Sequence, residues 1–192
     1  MTRTVLLTSF TTWLPHQPSN ASDDLLGYLS RDRFATPPAD RALLQNAHFL
    51  RKLPVDFHLA PQRAIAAIEH LQPEAIVCCG MAETRQKLTL ESRARYGDRT
   101  VNNPLDLDRL VHGLQWTEIS HDAGQFVCER LYYSVLDYLH HRQKATVGAI
   151  AVRPDPVKHD NHRRCLFVHV PPLNRENLTA IAQDFVTILQ RL

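Results

Sequence analysis

The sequence predicts a three-layer α/β/α domain with a mainly parallel central sheet. Strand-like and helix-like stretches alternate along most of the chain, and right-handed crossovers between parallel strands place helices on both faces of a sheet. One nearly unbroken apolar run, Glu74-Ala-Ile-Val-Cys-Cys-Gly80, reads as a strand buried on both sides. At 192 residues the chain suits a single domain over 1–192. With 44% hydrophobic and 22% charged residues, it is not disordered, fibrous or repetitive in composition.

The first element is a strand over Thr4 to Phe10, ended by the proline-broken loop Trp13 to Asn20. Ser22-Asp-Asp then opens a helix, with its acidic residues well placed at the N-terminus. Thr36-Pro-Pro-Ala reads as a surface loop, Ala47 to Val55 as a second strand, and Pro61 as the start of a helix carrying Ala64, Ile65, Ile68 and Leu71. The run ending at Gly80 is the central strand. Trp116 to Ser120 is a further short strand, and Ser120 or Asp122 can cap a long helix through Phe126, Val127, Tyr132, Val135, Leu136 and Leu139. Thr146 to Val152 and Cys165 to Val170 read as two more strands separated by a polar segment. A helix carrying Leu178, Ile181, Phe185, Ile188 and Leu189 on one face closes the chain. In sheets of this kind ligands collect at the carboxyl ends of strands, here Phe10, Gly80, Ser120 and His169.

A formal net charge of +2 with no long basic run disfavours nucleic acid as a partner. No apolar stretch reaches the roughly 18 to 20 residues that span a bilayer, and no cleavage site follows the first apolar run, so the expectation is a cytoplasmic protein without a membrane partner. Four cysteines are too few for a disulfide framework, and Cys78 and Cys79 should face opposite sides of their strand, reduced. The eleven histidines form no metal-ligand spacing, and His140-His141 and His159 to His162 lie in polar stretches, so no metal is expected. No glycine-rich nucleotide fingerprint occurs among six glycines, so none of the common nucleotide cofactors is expected either.

Two residues stand out chemically. Cys128 falls near the start of a helix that follows a strand, where the helix dipole favours a thiolate. His169, in Cys165-Leu-Phe-Val-His-Val-Pro-Pro172, closes an apolar strand that prolines end. A cysteine with a histidine on another loop is the minimal pair of nucleophile and base. A carboxylate to orient the imidazole could come from Glu83 or Glu91, both read as lying in the loop Gly80 to Ser92 after the central strand, and spacing does not choose between them.

These residues resemble the pyroglutamyl peptidase family, also called pyrrolidone-carboxylate peptidases. Ser120-His-Asp-Ala-Gly-Gln-Phe-Val-Cys128 is similar to the family segment that carries the nucleophile, and Phe167-Val-His-Val-Pro171 to the one that supplies the base. Gly80-Met-Ala-Glu-Thr-Arg85 with Leu88-Thr-Leu-Glu91 resembles the family's Gly-x-Ala-x-x-Arg and its downstream glutamate, which selects Glu91. Leu53-Pro-Val-Asp-Phe57 and Phe10-Thr-Thr-Trp13 look like two further motifs, the second holding the pyroglutamyl lactam between aromatic rings.

The resemblance implies a phosphorylase/hydrolase-like fold and a cysteine peptidase that removes an N-terminal pyroglutamyl residue through Cys128, His169 and Glu91. It implies Phe10, Trp13, Asn20, Arg85, Phe126 and Val127 around the substrate, with Arg85 and the Cys128 amide facing the oxyanion. The partner is then a peptide or small N-acyl amide, no cofactor is needed, and self-association as a homodimer or homotetramer is expected. Several features depart from the family. Ser9 replaces a glycine, Leu14-Pro15 stands for a Gly-Gly and Glu83-Thr84 for a Gly-Gly or Pro-Gly, and only Arg93 to Gly113 fills a longer family segment, with Asn102-Asn103-Pro104 as its remnant. These departures motivate two alternatives: an amidase for another small N-acyl group, or a catalytically quiet binding module.

Overall fold

A computed structural model describes residues 4–31, 38–149 and 164–192. Its centre is a six-stranded sheet ordered β2 (Ala47–Leu53), β1 (Val5–Phe10), β3 (Ala75–Met81), β8 (Cys165–Val170), β4 (Leu88–Glu91) and β7 (Thr117–Ser120). A separate hairpin pairs β5 (Arg93–Tyr96) with β6 (Arg99–Asn102). The helices are α1 (Ala21–Leu29), α2 (Pro38–Gln45), α3 (Leu59–Leu71), α4 (Leu107–Val111), α5 (Val127–Ala149) and α6 (Leu178–Arg191).

Side chains alternate across a strand, and the alternation sorts this sheet into two cores. Val5, Leu7, Val77, Cys79, Leu88, Leu90, Leu166 and Val168 point to one face, where α1, α4 and α6 cover them. Leu6, Phe10, Ile76, Cys78, Cys165 and Phe167 point to the other, under α3 and α5. The expected three layers are present, and Cys78 and Cys79 do face opposite ways. All four cysteines are free and buried. Fully buried Phe10, Tyr132, Phe167 and Phe185 dominate the packing, each contributing about 1.5–3 kcal/mol by burial.

The sheet is parallel in four of its pairings and antiparallel where β8 meets β4. Consequently β4 and β7 run against the other four strands. Ser120, expected at the same sheet end as Phe10, Gly80 and His169, is the last residue of a reversed strand. Through the β4–β7 register it sits beside Glu91.

Other expectations need correction. Pro38 opens helix α2 rather than extending a loop, as the first helical position tolerates a missing N–H and Asp40 favours the helix start; residues 36 and 37 lie outside the described ones. Glu91 is not in a loop but ends the buried strand β4. Neither Ser120 nor Asp122 caps α5: Asp122 Oδ1 accepts the Gly124 amide and Ser120 Oγ accepts the Asp122 amide, which shapes the turn before the helix. Residues 146 to 149, expected as strand, continue α5, and the rest of that expected strand lies outside the described residues, as does His159 to His162. Among the described residues no helix is long and apolar enough to cross a membrane, and no group of three or more His, Cys, Asp or Glu is placed to hold a metal ion.

Candidate active site

The same alternation that builds the second core assembles the reactive groups. Cys78 and Gly80 on β3, Phe167 and His169 on β8, and Thr89 and Glu91 on β4 share the α5 face, since their neighbours in each strand face the opposite core. Gly80 lies beside His169 in register. Above it, the second residue of α5 is Cys128. A Cβ at Gly80 would stand 2.6 Å from Cys128 Sγ and 2.9 Å from Phe167 Cζ, so any larger residue here must displace the sulfur and the ring.

His169 Nδ1 lies 2.8 Å from Glu91 Oε1, with Glu91 fully buried. Burial alone would raise the Glu91 carboxyl, but the hydrogen bond and charge of His169, with the charge of Arg85, hold it below the usual glutamate value. An ionised carboxylate only accepts, so Nδ1 carries a proton and donates it to Oε1. Arg85 Nη1 donates to the same Oε1 at 2.6 Å and to the Thr89 hydroxyl, while Nη2 reaches Ser120 Oγ (3.2 Å) and the Asp122 carbonyl (2.8 Å). Arg85 therefore grips the carboxylate and does not line the cavity described next.

That cavity, of about 330 Å³, has Cys128, His169 and Phe10 at its buried end and Trp13 and Glu83 at its exposed rim. Its size falls at the small end of the range for ligand sites. Phe10, Trp13, Asn20, Phe126 and Val127, which the family resemblance implies around a substrate, all line it. The Trp13 ring lies 4.3 Å from that of Phe126, and Phe57 meets Phe126 edge-on at 5.9 Å. Asn20 is largely occupied: its Oδ1 accepts from the Ser22 amide and hydroxyl, capping α1, and its Nδ2 donates to the Thr11 carbonyl.

At Cys128 burial works against the helix dipole. Burial, with the charge of Glu91, pushes its thiol up to about 12, against a smaller lowering by its own backbone amide and Arg85. The helix-start amides favour an anion there, yet excluding water costs the charged sulfur more.

Several lining residues escaped sequence reasoning, among them Val55, Met81 and Gln17. Val55 lies within Leu53-Pro-Val-Asp-Phe57, so a signal existed for it. Behind the site, Tyr132 donates its hydroxyl to the Glu91 carbonyl at 2.9 Å, and Asn103 Nδ2 donates to that phenol oxygen (2.7 Å) and to the Cys165 carbonyl (3.1 Å). Asn103 came to notice only as part of a family remnant.

No protein-family model matches the chain. The sequence is 27% identical to a pyrrolidone-carboxylate peptidase of Brevibacillus brevis over 125 residues, 52% of this chain and 58% of that protein. It is 26% identical to one from Bacillus mycoides over 147 residues, 63% of this chain and 60% of that one. The matches thus span less than two thirds of these relatives. In three dimensions, pyroglutamyl peptidase I of Bacillus amyloliquefaciens superposes with a TM-score of 0.72 at 20% identity, covering 100% of this chain and 95% of that one. The pyrrolidone carboxyl peptidase of Thermococcus litoralis gives 0.69 at 17% identity, with 98% and 92% covered.

Proposed function

We propose that this chain, similar in sequence to pyrrolidone-carboxylate peptidases and alike in fold to pyroglutamyl peptidase I, is a cysteine peptidase that removes an N-terminal pyroglutamyl residue from peptides. The observation that carries the reading is the buried His169–Glu91 hydrogen bond of 2.8 Å, beside a cysteine in the same small cavity. In this reading Cys128 is the nucleophile, His169 the base and Glu91 the group that orients the imidazole and stabilises its protonated form.

Because the resting thiol is neutral, the proton moves as the substrate is attacked. His169 Nε2 takes it while Sγ adds to the acyl carbonyl carbon. The negative charge that develops on the carbonyl oxygen falls to the amides opening α5, Val127 and Cys128, whose N–H groups have no carbonyl of their own helix to bond. Protonated His169 then gives its proton to the leaving amine, and the C–N bond breaks. Water, deprotonated by His169, hydrolyses the thioester and releases pyroglutamate and free Cys128.

Phe10, Phe126 and Val127 form the flat apolar wall that a five-membered lactam would contact, with Trp13 closing its outer side. Arg85 acts through Glu91, which it holds ionised and in place. Free, buried thiols suit a reducing compartment, so we assign the protein to the cytoplasm. Self-association as a dimer or tetramer rests on the family resemblance alone.

The test is release of aminomethylcoumarin from its pyroglutamyl amide under reducing conditions, with prolyl and alanyl amides as comparators and Cys128→Ala as control. Turnover of the pyroglutamyl compound alone, abolished in the variant, is the expected result. Turnover of a comparator instead would retain the cysteine and reject the lactam pocket, while a folded protein that cleaves none would overturn the reading.

A further inference from the structure

The cavity that holds Cys128 carries one carboxylate on its wall, at the rim. Of its lining residues only Glu83, Cys128 and His169 titrate, and the rest of the wall is aromatic, aliphatic or neutral polar. Glu83 stands where the resembled family has glycine or proline, and here its carboxylate is exposed and tied to the opposite side of the opening. Gln17 Nε2 donates to Glu83 Oε1 at 2.9 Å, and His16 Nε2 lies 3.2 Å from the same oxygen. Gln17 in turn accepts the Trp13 and Leu14 amides on its Oε1 (3.1 and 3.2 Å), so the charge is fixed relative to the loop bearing the rim tryptophan. The Gln17 bond, followed by His16, keeps the Glu83 carboxyl below its ordinary value and hence ionised at neutral pH. No described partner engages its Oε2. The guanidinium of Arg85, two residues on, faces Glu91 and Ser120 rather than the cavity.

We infer that Glu83 is a specificity-determining residue that selects for a cationic group on the part of the substrate leaving through the cavity mouth, and against an anionic one. Resting on the proposed peptidase reading, this means a lysine or arginine directly after the pyroglutamyl residue is favoured over glutamate or aspartate. A unit charge about 4–6 Å from the carboxylate in a water-like medium changes an encounter by about three- to five-fold, so reversing the sign of the probe changes it about ten-fold or more. The effect weakens as salt screens the exposed carboxylate.

A test independent of peptide turnover uses two small thiol reagents of opposite charge, a trimethylammonium-ethyl and a sulfonato-ethyl methanethiosulfonate. Modification of Cys128 is followed by mass spectrometry, each rate is normalised to that of 2-mercaptoethanol, and Cys128→Ser supplies the background. The expected cation-to-anion preference is about ten-fold, falling towards one in Glu83→Gln, which keeps an acceptor for Gln17, and inverting in Glu83→Lys. In parallel, kcat/KM is compared for pyroglutamyl-lysyl and pyroglutamyl-glutamyl peptides. A preference in the reagent rates without turnover of either peptide would sink the peptidase reading and leave the charge selection standing. A wild-type reagent ratio near one, or one unchanged by both substitutions, overturns the inference whatever the peptides show.

Discussion

Gly80 and Cys128 stand so close that the smallest side chain at position 80 would meet the sulfur at 2.6 Å. The sulfur lies directly on the backbone of the central strand at Gly80, which pairs in register with His169. Gly80→Ala is therefore expected to displace the thiol and the Phe167 ring together. Activity should fall to near background, with a stability loss of about 1–3 kcal/mol from overpacking, read by urea denaturation. Unimpaired turnover by a folded variant would contradict this placement of the sulfur.

The neutral thiol has its own signature. With Cys128 pushed up to about 12, alkylation by iodoacetamide should be slower at pH 7 than that of an ordinary exposed thiol and should keep rising past pH 9. His169→Ala should slow it further at neutral pH. A plateau below pH 8 in the wild type would show a thiolate already formed.

Glu91 links the site to acid stability. Its folded value is held below the ordinary one, so its contribution is fully present above about pH 4.3, the unfolded value, and is lost as pH falls through the folded value. Asp23, also lowered, against Arg51 and Ser9, acts with the same sign. Glu91→Gln should reduce Tm at pH 7 and narrow the gap in Tm between pH 7 and pH 3. It should also cut kcat by about 10²-fold or more. An unaltered Tm gap would show that the pair contributes nothing to folding.

Removing a single hydroxyl should reach the same carboxylate from behind. Tyr132→Phe deletes the bond to the Glu91 carbonyl and leaves Asn103 one partner short, for an expected loss of about 1 kcal/mol in stability. The accompanying kcat should drop with KM little changed, since the ring stays and the cavity wall is untouched. Steady-state kinetics separate the two constants, and a rise confined to KM would argue against a positioning role.

Much of the frame was legible because its signals are local. Apolar runs at Val5–Phe10, Ala75–Met81 and Cys165–Val170, and the 3.6-residue stripe of α6, report burial directly. Strand β4 was not, because four residues after the polar stretch Glu83 to Lys87 offer no period to read, and its burial is conferred by β8 and β7 on either side. The same limit applied to chemistry. Cys128 and His169 announced themselves by type and position, but the choice of Glu91 needed the family resemblance. The state of the thiol depends on the packing over it. Arg85 was expected at the substrate, and its actual engagement depends on Ser120 and Asp122, more than thirty residues away.

Tyr132 follows Cys128 by one helical turn and is bonded to Glu91, the strand residue that pairs with His169. Helix α5 thus carries the sulfur on one rung and, on the next, a peg fastened to the carboxylate's own backbone. Rolling the helix to advance or withdraw the sulfur would also tug strand β4, so the Cys128 sulfur and the Glu91 carboxylate are geared to each other. A designer who wished to retune this thiol for a bulkier acyl group could not do so by shifting the helix alone. The peg would have to be cut first, and the alignment of the imidazole would go with it.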